Sequence, residues 1–234
     1  PPPPPPPPPL FFFQPKAVHP DPLWSRGLGD VYKRQGLCGL HINKILIRRT
    51  VKVAVTGASG LIGSALVSEL ENRGDQVLRI GRTAREEGDI VWNPMEGILT
   101  SALIEEVDAV VNLAGETIEG RWTAKKKKKI LESRVKGTHL LTQTFQRLDA
   151  PPKIFVSSSA SGFYGDRGEE ILTESSTAGN GFLADVCKAW EAAADASSET
   201  RLVIARTGVV FDPSGGALQK LLIPIRLFFG GPLG

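Results

Sequence analysis

Residues 51–66, VKVAVTGASGLIGSAL, constrain the fold of this chain more than any other stretch. The segment VKVAV reads as a buried strand, and Leu61, Ile62, Ala65 and Leu66 recur at helical spacing. Between them Gly57, Gly60 and Gly63 are spaced G-x-x-G-x-x-G. A strand that turns sharply into a helix leaves the helix's first N–H groups without intrahelical partners. Those groups and the helix dipole together favour a pyrophosphate. Gly57 permits the tight turn, Gly60 the approach of phosphate to backbone, and Gly63 the packing of helix on strand. A glycine triplet alone marks only a strand–helix turn. The order strand, turn, helix makes it a candidate dinucleotide site, with Thr56, Ser59, Leu61 and Ile62 completing the turn.

Strands and helices alternate from there on, which predicts an α/β fold with a parallel sheet covered on both faces. Strands are expected at 51–56, 76–80, 89–92, 109–113, 154–158 and 202–206. Helices are expected at 60–73, weakly at 99–106, then at 123–146 and 182–194, with an amphipathic segment at 217–228. The glycine-rich span 162–180 is expected to be irregular.

The first fifty residues read differently. Nine prolines open the chain, and a proline run adopts an extended polyproline II form with no core to bury. Residues 1–50 are therefore assigned as a low-complexity leader, possessing no initiator Met and resembling a mis-assembled transcript around GLGDVYKRQ, and residues 51–234 as the folded domain. The net charge of +3 invites a nucleic-acid reading, but the leader holds seven Lys/Arg against Asp21 and Asp30. The remainder holds 21 against 23 acids, so the basic balance belongs to the leader and nucleic-acid binding has no other support. No apolar run approaches the ~20 residues of a membrane span. Cys38 and Cys187 form no metal-type spacing and no expected disulfide, which suits a reducing, intracellular compartment, cytoplasmic or organellar.

The strand-two end selects the cofactor. A carboxylate there suits the ribose hydroxyl of NAD, an arginine the 2′-phosphate of NADP. The window reads LRIGRT, with no acid and with Arg82 just past the strand. The expectation is NADP, with NAD as the alternative and a solvated surface arginine as the structural reading. The fourth strand ends in Asn112, Leu113, Ala114 and Gly115, small enough to leave room for a cofactor, although Asn112 would also cap the strand. Residues 125–129 are five lysines at a helix start, read first as a solvated face and second as a phosphate contact. The fifth strand ends in Ser157, Ser158 and Ser159, whose hydroxyls suit a small substrate's carbonyl or alcohol. Lys188 is in reach of cofactor ribose hydroxyls, and Cys187 reads as a packing residue because no histidine stands by it.

From residue 51 onward the chain resembles the extended short-chain dehydrogenase/reductases. More closely, it resembles their atypical, nucleotide-sugar-epimerase-like SDR39U1 or YfcH-like family. The motifs are TGASGLIGSAL, VVNLAGETI, GRW, SRVKGT, FYGDRG, FLADVCKAWE, RTGVVF and GGALQKLLIPIRLFFGGPLG. The resemblance implies a Rossmann-like fold, NAD(P) binding, and a substrate lobe that continues past Gly234. The superfamily's usual active site pairs a Ser with Tyr-x-x-x-Lys, the lysine lowering the tyrosine's pKa. Matching SSSASGFYG and KAWE places Ser159 and Lys188 in the serine and lysine positions, but Ala184 stands where the tyrosine would be. Tyr164 is the nearby phenol, either a substitute acid or a packing residue. Two functions follow as expectations: an NADP-dependent, epimerase-like oxidoreductase with an altered mechanism, or a non-catalytic dinucleotide-binding module.

Overall fold

The computed structural model describes residues 49–84, 88–100, 104–195 and 199–226, so the leader assignment lies outside the described residues except at its last two positions. The elements run in the order β1 (Lys52–Thr56), α1 (Leu61–Asn72), β2 (Gln76–Gly81), β3 (Ile90–Asn93), β4 (Ile98–Leu99) and β5 (Ala109–Asn112). There follow α2 (Ala124–Phe145), β6 (Ile154–Ala160), a 3₁₀ turn (Ser161–Tyr164), α3 (Phe182–Ala193), β7 (Arg201–Thr207), β8 (Phe211–Asp212) and α4 (Gly216–Arg226).

The sheet order is β4-β3-β2-β1-β5-β6-β7, parallel throughout except for the antiparallel β4. The order reverses between β1 and β5. At such a point crossovers depart to opposite faces, and a crevice opens beyond the strands' carboxyl ends. This is the Rossmann-like arrangement expected from the alternation of elements.

Strand alternation divides the core. Ala54, Ile80, Val110 and Phe155 join Leu141 and Phe145 of α2 on one face. Val53 and Val55 join Val67 of α1 on the other. Phe145 and Phe155 meet edge to face at 5.2 Å between centroids. Gly137 lets α2 come down on Trp92 of β3, since a Cβ there would stand 3.2 Å from the indole.

The expected weak helix at 99–106 is not formed as such. Ile98 and Leu99 pair with Asn93 and Trp92, and Ile104 to Glu106 form a turn, with 101–103 outside the described residues. The cause is the reversal at 93–97, where Asn93 accepts from Met95 and Glu96 and Gly97 takes φ 69°. The long helix ends where expected: Thr123 caps it by accepting from the Lys126 amide, and Gln146 closes it. No helix of the described residues is long and apolar enough to cross a membrane.

Candidate functional site

The glycine turn is built as its spacing predicts. Gly57 has φ 67°, and a Cβ there would lie 2.9 Å from the Leu113 backbone. A Cβ on Gly63 would lie 2.1 Å from the Gly57 carbonyl oxygen, so only glycine lets α1 start so close to β1. Gly60 differs: its Cβ would have the Gly57 oxygen at 3.3 Å and no other such neighbour within 4 Å. No side chain caps α1 at Gly60, so its first-turn amides lack the usual partner. A glycine with open space beside uncapped amides fits a phosphate.

Beneath the turn lies a buried polar chain. Thr56 Oγ1 donates to Asn112 Oδ1 at 2.7 Å and accepts from the Leu113 and Ala114 amides at 3.0 and 3.1 Å. Asn112 Nδ2 donates to Thr138 Oγ1 at 2.8 Å, as does Trp190 Nε1 at 2.9 Å. Thr56 and Asn112 thus join the ends of β1 and β5 and lie under the crevice.

The crevice, about 670 Å³, has the turn from Gly57 to Gly60 on one side and Arg79, Gly81, Arg82 and Thr83 at the end of β2. The loop after β5 (Leu113, Ala114, Gly115, Glu116) and Lys129, Glu132 and Ser133 of α2 close it, with Asp89 and Trp92 opposite. Gly57, Ser59, Gly60, Arg82, Ala114 and Gly115 are therefore brought together. Of the remaining predicted residues, Gly63 is a packing contact, Ile62 is exposed on α1, and the Leu61 side chain approaches Gly215 and Gly216 at the start of α4.

Most of the crevice carboxylates have cationic partners. Glu116 accepts from Lys126 Nζ at 2.7 Å, and that bond, with the fields of Lys126, Lys129 and Arg82, holds its carboxyl below the ordinary value against the cost of desolvation. Glu132 has Lys136 at 3.4 Å and Lys128 at 3.9 Å. The loop itself is pinned by Arg134, whose guanidinium donates to the Glu116 and Ile130 carbonyls, and by Ser133, which accepts from the Glu116 amide. Burial lowers the Arg134 pKa. Gly115 leaves room for it, because a Cβ would sit 3.0 Å from Arg134 Cζ and the guanidinium would have to give way.

A second cluster gathers at the end of β6. Ser159 Oγ donates to Glu191 Oε1 at 2.6 Å. Arg206 of β7 grips Glu191 through Nε and Nη2, both at 2.8 Å. Its Nη1 donates to the Tyr164 hydroxyl and to the Glu174 carbonyl, each at 3.0 Å. Burial pushes the Glu191 carboxyl up, but the bonds from Arg206 and Ser159 outweigh it and hold the group below its ordinary value. Tyr164, Glu174, Ile204 and Arg206 line a separate cavity of about 300 Å³. Ser159 and Tyr164 are thus linked through one ion pair, whose two members carried no assigned role in the sequence.

Lys188 is not brought to this cluster. It is 44% exposed and pairs with Asp185 at 2.7 Å. Adjacent residues on a helix point about 100° apart, and the inward face of α3 is taken by Ala184, Cys187 and Trp190. Cys187 is the residue facing β6, with Sγ 3.9 Å from the Ala160 carbonyl, and burial raises its thiol pKa. That fits a packing residue. Ala184 is buried at 1% exposure, leaving no room on that turn for a phenol without rearrangement.

The family model of the NAD dependent epimerase/dehydratase family matches residues 53–211. The chain belongs to that family. Within the epimerase family it is 38% identical over 186 residues to epimerase family protein Mb2239 of Mycobacterium bovis, covering 78% of this chain and 61% of that protein. Among solved structures, human epimerase family protein SDR39U1 (isoform 2), determined with NADPH, is 35% identical with a TM-score of 0.69, over 78% of this chain and 62% of that one. The nucleoside-diphosphate sugar epimerase from Corynebacterium glutamicum is 38% identical with a TM-score of 0.68, over 80% and 39%. The chain spans about three fifths of the length of these curated epimerase-family relatives. The atypical short-chain dehydrogenase/reductase assignment agrees with these matches.

Proposed function

We propose that the chain is the dinucleotide-holding part of an epimerase-like oxidoreductase that takes NADP in preference to NAD. The observation that carries this reading is the crevice in which the Gly57–Gly60 turn faces Arg82 at the end of β2, where an NAD-selecting acid would stand. Gly57, Ser59, Gly60 and the first turn of α1 hold the pyrophosphate, Arg82 the 2′-phosphate, and Ala114 and Gly115 leave space beside it. The human relative solved with NADPH supports the same cofactor.

A bound nicotinamide supplies hydride transfer; the chain's own residues supply the rest. With its proton given to Glu191, Ser159 keeps an acceptor lone pair that orients the hydroxyl of a small substrate. Tyr164, accepting from Arg206, keeps its own proton to donate and serves as the acid. The Lys188–Asp185 pair supports a surface role for Lys188 rather than a contact to cofactor ribose. The buried Ala184 favours a second reading, a dinucleotide-binding module without turnover.

Calorimetric titration of the full chain with NADP and NAD tests the first reading. Tighter binding of NADP is expected. Preference for NAD removes the Arg82 assignment, and binding of neither removes the cofactor. Substrate-dependent change in NADPH absorbance that is lost in Tyr164→Phe separates enzyme from module.

A further inference from the structure

The five consecutive lysines at the start of α2 are an electrostatic anomaly. Positive charge at a helix N-terminus opposes the dipole, and neighbouring like charges repel. The helix sends these side chains in different directions. Lys126 bonds Glu116, Lys127 lies over the Phe182 ring at 5.1 Å, and Lys128 approaches Glu132. Lys129 alone of the run lines the crevice.

Lys129 is exposed, and the carboxylates beside it are engaged by other cations. Glu116 is bonded to Lys126, and Glu132 is shared by Lys128 and Lys136. Arg79 is bonded to Glu71 at 2.6 Å. Lys129 and Arg82 therefore stand on the crevice wall with no ion pair within 4 Å among the described residues. They come from different walls, α2 and the end of β2. Both also bear on Glu116 electrostatically, so they share one neighbourhood. Two such cations across a cleft hold an anion between them, and their attraction grows as water is displaced.

We propose that Lys129 is a specificity-determining residue that, with Arg82, clamps the 2′-phosphate of the dinucleotide from the opposite wall of the crevice. This rests on the dinucleotide reading above and adds to it a residue outside the glycine turn and the end of β2. The pyrophosphate is served by the glycine turn, so the contribution of Lys129 is confined to ligands carrying the additional phosphate.

The test uses adenosine 2′,5′-bisphosphate and 5′-AMP as probes, titrated calorimetrically into the full chain, wild type and variants. Wild type is expected to bind the bisphosphate more tightly. Lys129→Ala is expected to weaken the bisphosphate about tenfold, with 5′-AMP changed by less than about twofold. Lys129→Arg restores most of the preference, and Lys125→Ala, which removes the same charge from the same run away from the crevice, leaves it unchanged. The preference shrinks as salt is raised. Equal weakening of both probes, no effect on either, or an equal effect of Lys125→Ala overturns the clamp while leaving the dinucleotide reading intact. Failure of wild type to bind either probe overturns the dinucleotide reading itself. Thermal unfolding of Lys129→Ala at the wild-type midpoint excludes a folding cause.

Discussion

Three glycines in one turn carry three separable physical tasks. At Gly63 the overlap of a Cβ with the Gly57 oxygen, 2.1 Å away, cannot be relieved by a side-chain rotation, because both partners are backbone. Gly63→Ala is expected to lower stability by more than about 2 kcal/mol, read from the urea midpoint. At Gly60 the backbone sits at φ −79°, which alanine adopts freely, and the added methyl meets a single oxygen at 3.3 Å. Gly60→Ala is therefore expected to keep stability within about 1 kcal/mol of wild type. Its NADP affinity is nonetheless expected to fall by about tenfold or more, because the methyl occupies the space proposed for phosphate. Equal loss of stability in the two variants, or unchanged NADP affinity in Gly60→Ala, would show that the three glycines do one job between them.

Among the elements, α3 and β7 are joined by Glu191 and Arg206, whose side chains are 15% and 20% exposed. The folded Glu191 carboxyl lies below its ordinary value of 4.5, so the stabilisation is complete above that value and is lost as pH falls through the lower, folded value. Urea unfolding between about pH 3 and about pH 7 should show wild type losing stability on acidification more steeply than Glu191→Gln. At neutral pH that variant is expected to be about 2 kcal/mol less stable, since an amide leaves Arg206 without its counter-charge. Identical pH slopes would assign the acid dependence to other carboxylates. Elements of this kind also mark what the sequence could disclose. The glycine turn at 57–63 and the 3.6-residue periods of the helices lie within one segment each, and so were readable. The Ser159–Glu191–Arg206 cluster joins residues 32 and 15 positions apart, and nothing local announces it. The same limit explains Lys188: its motif match is local, but which face of α3 turns inward is decided by Cys187 facing β6 and Trp190 facing α2. The two-residue β4 and β8 are too short to show any period.

Across the whole molecule, the chain from Thr56 through Asn112 and Thr138 to Trp190 ties β1 and β5 to α2 and α3. Thr138 is its node, accepting from two buried donors. Thr138→Val leaves Asn112 Nδ2 and Trp190 Nε1 unpaired, and is expected to cost about 2–5 kcal/mol by urea unfolding. Thr138→Ser, which keeps the oxygen, is expected to stay within about 1.5 kcal/mol of wild type. If the two variants unfold alike, the methyl rather than the hydroxyl is what matters at that position.

The Thr56 hydroxyl holds the oxygen of Asn112 and the amides of Leu113 and Ala114. The carboxyl ends of β1 and β5 cannot part without stripping three hydrogen bonds from a side chain that water does not reach. The floor of the crevice thus has its width before any ligand arrives. A guest meets a seat that is already set and loses little entropy in shaping it, so more of its contact energy remains as affinity.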